Sequence, residues 1–322
     1  MSYNDIVIPD LLPPSEDGVF KTLMCHPDAE PILRDVIESF LQFPVTIVKV
    51  RNVETHINDI NEKRERFDVN CAIDDGSQAD VEMQAEAMKG DSQRTGHKIL
   101  KNRAIFYLCD LHSGQSGRGL RYDSLRRSFQ VTFCGYTVFP ERKDFINRFS
   151  FRDKDGNALS DSVGIIFVEL SKLSDIIKKP IGAMTREEQW STFIAYGGDT
   201  RYKELVTGLT DARKEIKMAS ELLQTISRDE NERARFRSRR MFQMDQQHDR
   251  LVSIDEGREE GIKIGEKRGI TKGEKLGIAK GEKEARIDVV KKAYEVDLSI
   301  EQIIQITGMS KPEVESIISS TN

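Results

Sequence analysis

The sequence predicts an α/β fold, a mixed sheet flanked by helices with a helical tail behind it. Three observations predict it. Residues 17–41 carry apolar side chains at helical spacing. Residues 45–86 break into three short runs with strand character, and three more such runs lie between 128 and 171, after an intervening helix. From residue 172 onward the pattern is helical.

Taken in order, EDGVFKTLMCHPDAEPILRDVIESFLQF holds a short apolar stripe (Phe20, Leu23, Met24) and a longer one (Ile32, Leu33, Val36, Ile37, Phe40, Leu41). The first strand runs are VTIVKVRNVETHI (45–57), RFDVNCAI (66–73) and ADVEMQAE (79–86). A helix with Ile99, Leu100, Ile105, Phe106 and Leu108 follows and ends before HSGQSGRG. SFQVTFCGYTVF (128–139), DFINRFSFRD (144–153) and SVGIIFVELS (162–171) complete the strands. DKDGNALSD (153–161) reads as a hairpin turn: a calcium loop needs glycine at its sixth position and glutamate at its twelfth. Segments 172–250, EEQWSTFIAY and RKEIKMASELLQTI among them, read as helix.

A chain of 322 residues has room for about two domains. Composition divides it into a core at 1–215, a helical extension at 216–256, a Gly/Glu/Lys repeat at 257–284 and a small helical unit at 285–322. The net charge of −5 excludes a global basic field, so nucleic-acid contacts must come from local patches. Cys25, Cys71, Cys109 and Cys134 form no CxxC pair and suit a reducing compartment. The proline-broken, acidic start is no signal peptide, and no run approaches the roughly 18 apolar residues of a membrane span. The expectation is a soluble cytoplasmic protein without membrane partners.

Glycine recurs at every fourth position from Gly257 to Gly281. Each costs a helix about 1 kcal/mol relative to alanine, which makes the repeat at best a marginal helix. A four-residue period drifts around a 3.6-residue helix, so the glycines trace a spiral groove. Two readings stand: a charged spacer, or a close-packed segment joining copies into a homodimer or higher oligomer. No Walker register of glycines followed by Lys-Ser or Lys-Thr occurs in it. Beyond it, Ser299 and Ser310 cap two short helices separated by Gly308, with Pro312 in the second helix's first turn. The pair resembles a helix-turn-helix, but KPEVESIISS offers phosphates a poor surface.

The sharpest feature is the set of acids in ERFDVNCAIDDGSQADVEMQ. In ADVEMQAE, Asp80, Glu82, Gln84 and Glu86 share one face; in RFDVNCAI, Asp68 and Asn70 share another. A two-residue Asp75-Gly76 turn sets Asp68 across from Met83. A three-residue Asp74-Asp75-Gly76 loop with left-handed Gly76 pairs Ile73 with Ser77, and sets Asp68 opposite Glu82 with Cβ atoms roughly 4.5–5.5 Å apart; five-residue loops of matching parity also keep the two acids on one face. Two carboxylates that close repel unless a cation lies between them. Hard oxygens suit Mg²⁺ or Mn²⁺, while solvated acids on a wet hairpin face are the plain alternative. Gln84 could orient a water but brings no positive charge.

Asp68, followed fourteen residues later by Glu82-Met83-Gln84, resembles the PD-(D/E)xK nuclease site in its glutamine variant. With Asp17-Gly18-Val19-Phe20-Lys21 upstream and Arg103 and Tyr107 downstream, the chain resembles the recombination-promoting nuclease (Rpn) family, also labelled putative transposase. The resemblance implies a restriction-endonuclease-like fold and a Mg²⁺-dependent DNA endonuclease, Mn²⁺ being an alternative ion. Its setting would be recombination or defence against foreign DNA, and its substrate double-stranded DNA. It makes Asp68, Glu82 and the Met83 backbone carbonyl metal ligands and puts Gln84 in the lysine's position. Asp17 and Lys21 would border the site; Arg103 and Tyr107 would face it and contact phosphate. The missing lysine leaves transition-state charge to the metal, Lys21 or Arg103. The rival is a degenerate DNA-binding or oligomerising protein on the same fold.

Arg233, Arg235, Arg237, Arg239 and Arg240 could grip a DNA backbone, with Arg233, Arg237 and Arg240 the chosen contacts, or pair with Asp229, Glu230, Glu232 and Asp245 on a solvated helix. The five histidines form no metal spacing; His97 lies nearest the acids. Translation from Met241 or Met244 would yield a tail-only product able to pair with the full chain.

Overall fold

In a computed structural model, residues 9–50, 69–86, 93–115 and 121–320 are described. The chain divides into two units, Met1–Met241 and Phe242–Asn322.

The first unit is built on six strands: β1 (Val48–Val50), β2 (Val69–Ile73), β3 (Gln78–Gln84), β4 (Ser128–Cys134), β5 (Ile146–Phe149) and β6 (Val163–Glu169), in the order β1-β2-β3-β4-β6-β5. The first three pair antiparallel, β3–β4 and β4–β6 pair parallel, and β5 runs antiparallel to β6 at the edge. The parallel β3–β4 step needs a crossover, and α3 (Gln93–Ser113) supplies it.

Parallel strands are covered on both faces, and here each face has its own core. On one, α1 (Asp17–Met24), α2 (Glu30–Leu41), α4 (Arg186–Tyr196), α5 (Lys203–Ala212) and α6 (Lys214–Arg228) bury Phe20, Phe40, Val81, Met83, Phe133 and Trp190. On the other, α3 lays Leu100, Ala104 and Leu108 over Cys134, Ile165 and Phe167. The packed stripe of α3 differs from the apolar positions counted in sequence. Ile105 and Phe106 point outward, because the buried spacing 97, 100, 104, 108 leaves them on the far side of the helix.

The β2–β3 connection is the three-residue loop. Ile73 N–H donates to the Ser77 carbonyl at 2.9 Å, Gly76 N–H to the Ile73 carbonyl at 2.9 Å, and Gly76 sits at φ +84°. Asp75 Oδ1 accepts from Ser77 N–H at 2.8 Å. The ladder pairs Val69 with Val81, Asn70 with Asp80 and Cys71 with Ala79.

Two expectations change. Residues 172–185 are not continuous helix but short 3-10 turns around Pro180 and Gly182; α4 starts at Arg186 behind a Thr185–Glu188 capping box. The run 128–139 stops pairing at Cys134, where Gly135 N–H donates to the Gln84 carbonyl; a Cβ on Gly135 would lie 2.4 Å from the Ala85 oxygen. Of the runs 45–57 and 66–73, residues 51–57 and 66–68 lie outside the described residues. The 153–161 segment is a turn as read, with Asp153 Oδ1 accepting from the N–H groups of Asp155 and Asn157 at 2.9 Å each.

α7 (Glu230–Glu295) is helical through the whole glycine repeat, more so than the propensity of glycine suggests. Strong helix formers fill the intervening positions, and i,i+4 pairs such as Glu259–Lys263 and Lys280–Glu284 flank them. A Cβ on any of the seven repeat glycines meets nothing within 4 Å. In the second unit, α8 (Ile300–Thr307) and α9 (Lys311–Ser319) pack Ile303 and Val314 on Val290 and Ala293 of α7. Ser299 and Ser310 form capping boxes, and Gly308 ends α8 at φ +66°.

Candidate functional site

With Val81 and Met83 committed to the core under α1 and α2, the pleat turns Asp80, Glu82 and Gln84 toward α3. Glu82 is only 4% exposed. Opposite it on β4 stands Thr132, beside Gln130, both fully buried. Among the described residues, Thr132 Oγ1 and both amide atoms of Gln130 have no hydrogen-bond partner.

A buried carboxylate needs a cation or several donors. Arg103, on α3, provides one: its Nη2 donates to Glu82 Oε1 and, at 2.6 Å, to Gln84 Oε1. The Gln84 amide is fixed at its other end, where Nε2 donates to the Glu86 carbonyl at 2.9 Å. Tyr107, one turn on from Arg103, sets its ring 5.7 Å from the guanidinium.

Asp17 begins α1 and reaches the end of β3, where its Oδ1 accepts from Ala85 N–H at 2.8 Å. Burial raises its pKa, Glu86 adds to the rise, and the Ala85 N–H and Arg103 oppose it. Glu16 behaves alike: burial raises its pKa, and Arg240 works against that. Glu16, Asp17, Glu82 and Glu86 therefore form a string of acids at this end of the sheet, laced with Arg103 and Arg240. Lys21 lies one turn along α1 from Asp17, and its charge pulls down a Cys25 thiol that burial pushes up.

Asp68 lies outside the described residues. The described ladder, with Val69 on Val81, is the three-residue register and not the two-residue one. The Gln84 carbonyl faces β4, accepting from Gly135 N–H. Successive carbonyls of a strand alternate sides, which turns that of Met83 toward β2.

Of the arginines on α7, Arg233 Nη1 donates to the carbonyls of Pro9 and Ser227 at 3.0 and 3.3 Å, the role of a strut. Arg240 pairs with Glu16 at 3.4 Å, and Arg235 pairs with Glu232. Arg239 covers Gly18 so closely that a Cβ there would lie 1.5 Å from its guanidinium nitrogen. Arg237 is half-buried. The first turns of α7 thus fasten the start of α1, next to Asp17. His97 is buried on α3 and stacked on Tyr136 at 6.0 Å, and its Nε2 has no partner among the described residues.

Pattern reading passed over Thr132, Gln130 and Glu16. The alternation Ser128, Gln130, Thr132 inside SFQVTFC was the available signal for the first two. It also passed over two buried structural acids. Glu169 accepts from the Val138 and Phe139 N–H groups at 2.6 and 2.9 Å, from Asn147 at 2.8 Å and from Lys172 at 2.7 Å. Asp35 accepts from Trp190 Nε1 at 2.6 Å and pairs with Arg186 and Arg213.

No group of three His, Cys, Asp or Glu among the described residues is arranged to hold a metal ion. On this face lie two buried carboxylates, Asp80 and Glu82, with the Gln84 oxygen held by Arg103 and the Thr132 oxygen unpartnered among the described residues. Hard oxygens of this kind fit a hard divalent cation better than a soft one.

Residues 14–250 match the sequence model of the PD-(D/E)XK nuclease family transposases. No curated protein and no solved structure matches the chain. Among the described residues no helix is long and apolar enough to cross a membrane. The match assigns a nuclease or transposase function, with DNA as substrate, and nucleases of this kind generally use divalent metal ions. Since it spans well over half of the 322 residues, the chain belongs to the PD-(D/E)XK nuclease family transposases.

Proposed function

We propose that the protein is a Mg²⁺-dependent DNA endonuclease, Mn²⁺ serving as an alternative ion, with Asp68 and Glu82 as metal ligands and the Met83 carbonyl as a third. The observation that carries this is the β2–β3 register. It is the register of the three-residue loop, the alternative in which the sequence reading sets the two acids opposite each other. A bound divalent cation would neutralise phosphate charge and lower the pKa of a water. The reaction is hydrolysis: the water oxygen bonds to phosphorus as the P–O bond to the leaving oxygen breaks. The water gives up one proton and the leaving alkoxide takes one, which leaves a phosphomonoester end and a hydroxyl end. Asp17 borders the acids and orders the end of β3 through Ala85, and Lys21 stands one turn behind it.

The test is incubation of supercoiled plasmid with Mg²⁺, Mn²⁺, Ca²⁺ or EDTA, comparing the native protein with Glu82→Ala. Cutting by the native protein alone, dependent on Mg²⁺ or Mn²⁺, supports the reading; equal cutting by both refutes it. The rival, a DNA-binding or oligomerising protein on a degenerate nuclease fold, is favoured by the neutral Gln84 and by the hold of Arg103 on Glu82. It requires that Mg²⁺ and Mn²⁺ do not bind. The tail would join two copies through its open glycine groove. A product started at Met241 or Met244 would begin within three residues of the start of the second unit, Phe242–Asn322. Double-stranded DNA would be held partly by Arg103, Tyr107 and the exposed edges of Arg237 and Arg240.

A further inference from the structure

Hydrolysis of a phosphodiester builds negative charge on the phosphate oxygens, and preorganised positive donors aimed at that charge lower the barrier. The segment Glu82-Met83-Gln84 contributes an acid, a carbonyl and a neutral amide, none of them positive. The guanidinium that touches both outer members of this segment is that of Arg103. We propose that Arg103 is the positively charged side chain that contacts the scissile phosphate, and that Gln84 is the residue that positions it. This rests on the nuclease reading above and goes beyond it, because it assigns a role to the glutamine.

Three features carry the assignment. The helix face is the first: Leu100, Ala104 and Leu108 pack on the sheet, so Arg103, beside that ridge, is directed to the strand end where Glu82 and Gln84 lie. The orientation of the amide is the second. Because Gln84 Nε2 is occupied by the Glu86 carbonyl, its oxygen is turned to Arg103 and holds Nη2 at 2.6 Å. A lysine at position 84 would place charge there directly; the glutamine places it by holding an arginine.

Exposure is the third. The Arg103 side chain is 24% exposed against 6% for Glu82, so it is the member of the pair that a substrate can reach. A guanidinium presents five N–H donors in a planar fork, and a fork matches two phosphate oxygens at once. The same Nη2 also links Arg103 to metal loading. A divalent cation held by Glu82 would compete with the arginine for that carboxylate, while the Gln84 contact would keep Arg103 anchored beside the phosphate, with the Tyr107 ring 5.7 Å from its guanidinium.

The experiment uses the full chain and four variants, Arg103→Ala, Arg103→Lys, Gln84→Lys with Arg103→Ala, and Glu82→Ala. Its readouts are single-turnover plasmid cleavage and Mn²⁺ affinity by calorimetry, with circular dichroism to verify folding. Arg103→Ala is expected to slow cleavage by about 10²–10³-fold, the cost of losing one preorganised donor, while Mn²⁺ binds at least as tightly because its competitor is gone. Arg103→Lys should fall between, and Gln84→Lys should recover at least tenfold of the rate lost in Arg103→Ala. Native-rate cleavage by Arg103→Ala overturns the proposal. So does a slow Arg103→Ala that also binds Mn²⁺ more weakly, since that is the mark of a structural role, and so does a Gln84→Lys that recovers nothing. If Glu82→Ala is inactive and has lost Mn²⁺ while Arg103→Ala cuts normally, only this inference falls. If Glu82→Ala changes neither, the nuclease reading falls and this inference with it.

Discussion

Ile73 and Ser77 face each other across the Asp74-Asp75-Gly76 loop, the Ile73 N–H donating to the Ser77 carbonyl at 2.9 Å. That single pairing sets the register in which β2 lies against β3, with Val69 on Val81 and Asn70 on Asp80. Gly76 holds φ +84°, and a Cβ there would meet Arg126 Cγ at 3.0 Å. Gly76→Ala should therefore cost about 1–2 kcal/mol, the penalty of a left-handed L-residue, measured by urea denaturation. Deleting Asp75 instead is expected to cost both metal binding and stability, because a one-residue slip of β2 would also turn the buried Val69, Cys71 and Ile73 off the core.

Asp35 is a buried acid held by three cationic or N–H partners, Trp190, Arg186 and Arg213. Its replacement by alanine leaves Trp190 Nε1 without its acceptor, while Arg186 keeps Glu38 and Arg213 keeps Gln189, so the loss should be about 1–3 kcal/mol, the cost of a buried donor left unsatisfied. The chain has one tryptophan, Trp190 itself, so its fluorescence during thermal melting reads the loss at the site of the change.

The pKa of Asp17 is raised in the fold, by burial first, against an ordinary value of 3.8. A raised carboxyl keeps its proton to higher pH when folded. Its contribution to stability is complete below the ordinary value and is lost as pH climbs through the raised one. Asp17→Asn cannot ionise, yet its amide oxygen can still accept from Ala85 N–H. Unfolding free energy measured from pH 3.5 upward should fall less for this variant than for the native protein. Glu16, raised for the same reason, leaves a residual slope of the same sign.

The glycines of α7 have open space around them. Alanine at positions 265, 269 and 273 should raise the intrinsic helix stability of the tail by about 1 kcal/mol per site. If copies pair through the groove, the same change should shift sedimentation toward monomer. Unchanged association with a higher melting temperature would mark the repeat as a spacer.

Local signals made much of this fold legible. DDGS marked the hairpin but left its loop length, and with it the register, open; the Ser and Gly punctuation set the last two helices, and alternating or apolar runs marked the six strands. The environment of Glu82 was less so. Arg103 could be named beside the acids, but its hold on Glu82 and Gln84 depends on how α3 crosses the sheet, 19–21 residues away along the chain. Arg240 finds Glu16, and Asp35 finds Trp190 and Arg213, at separations of 155 or more. Such pairings depend on packing and leave no periodic trace. The packed face of α3 was not legible from its apolar residues either: Ile105 and Phe106 lie off the stripe that His97, Leu100, Ala104 and Leu108 define.

The most direct measurement is Mn²⁺ binding and plasmid cleavage by native protein, Asp68→Ala and Glu82→Ala, each verified as folded by circular dichroism. The expected result is that the native protein binds Mn²⁺ and cuts, and that either substitution abolishes both. Mn²⁺-dependent cutting that survives in a folded, pure Asp68→Ala or Glu82→Ala sample would contradict a shared cation held between the two strands.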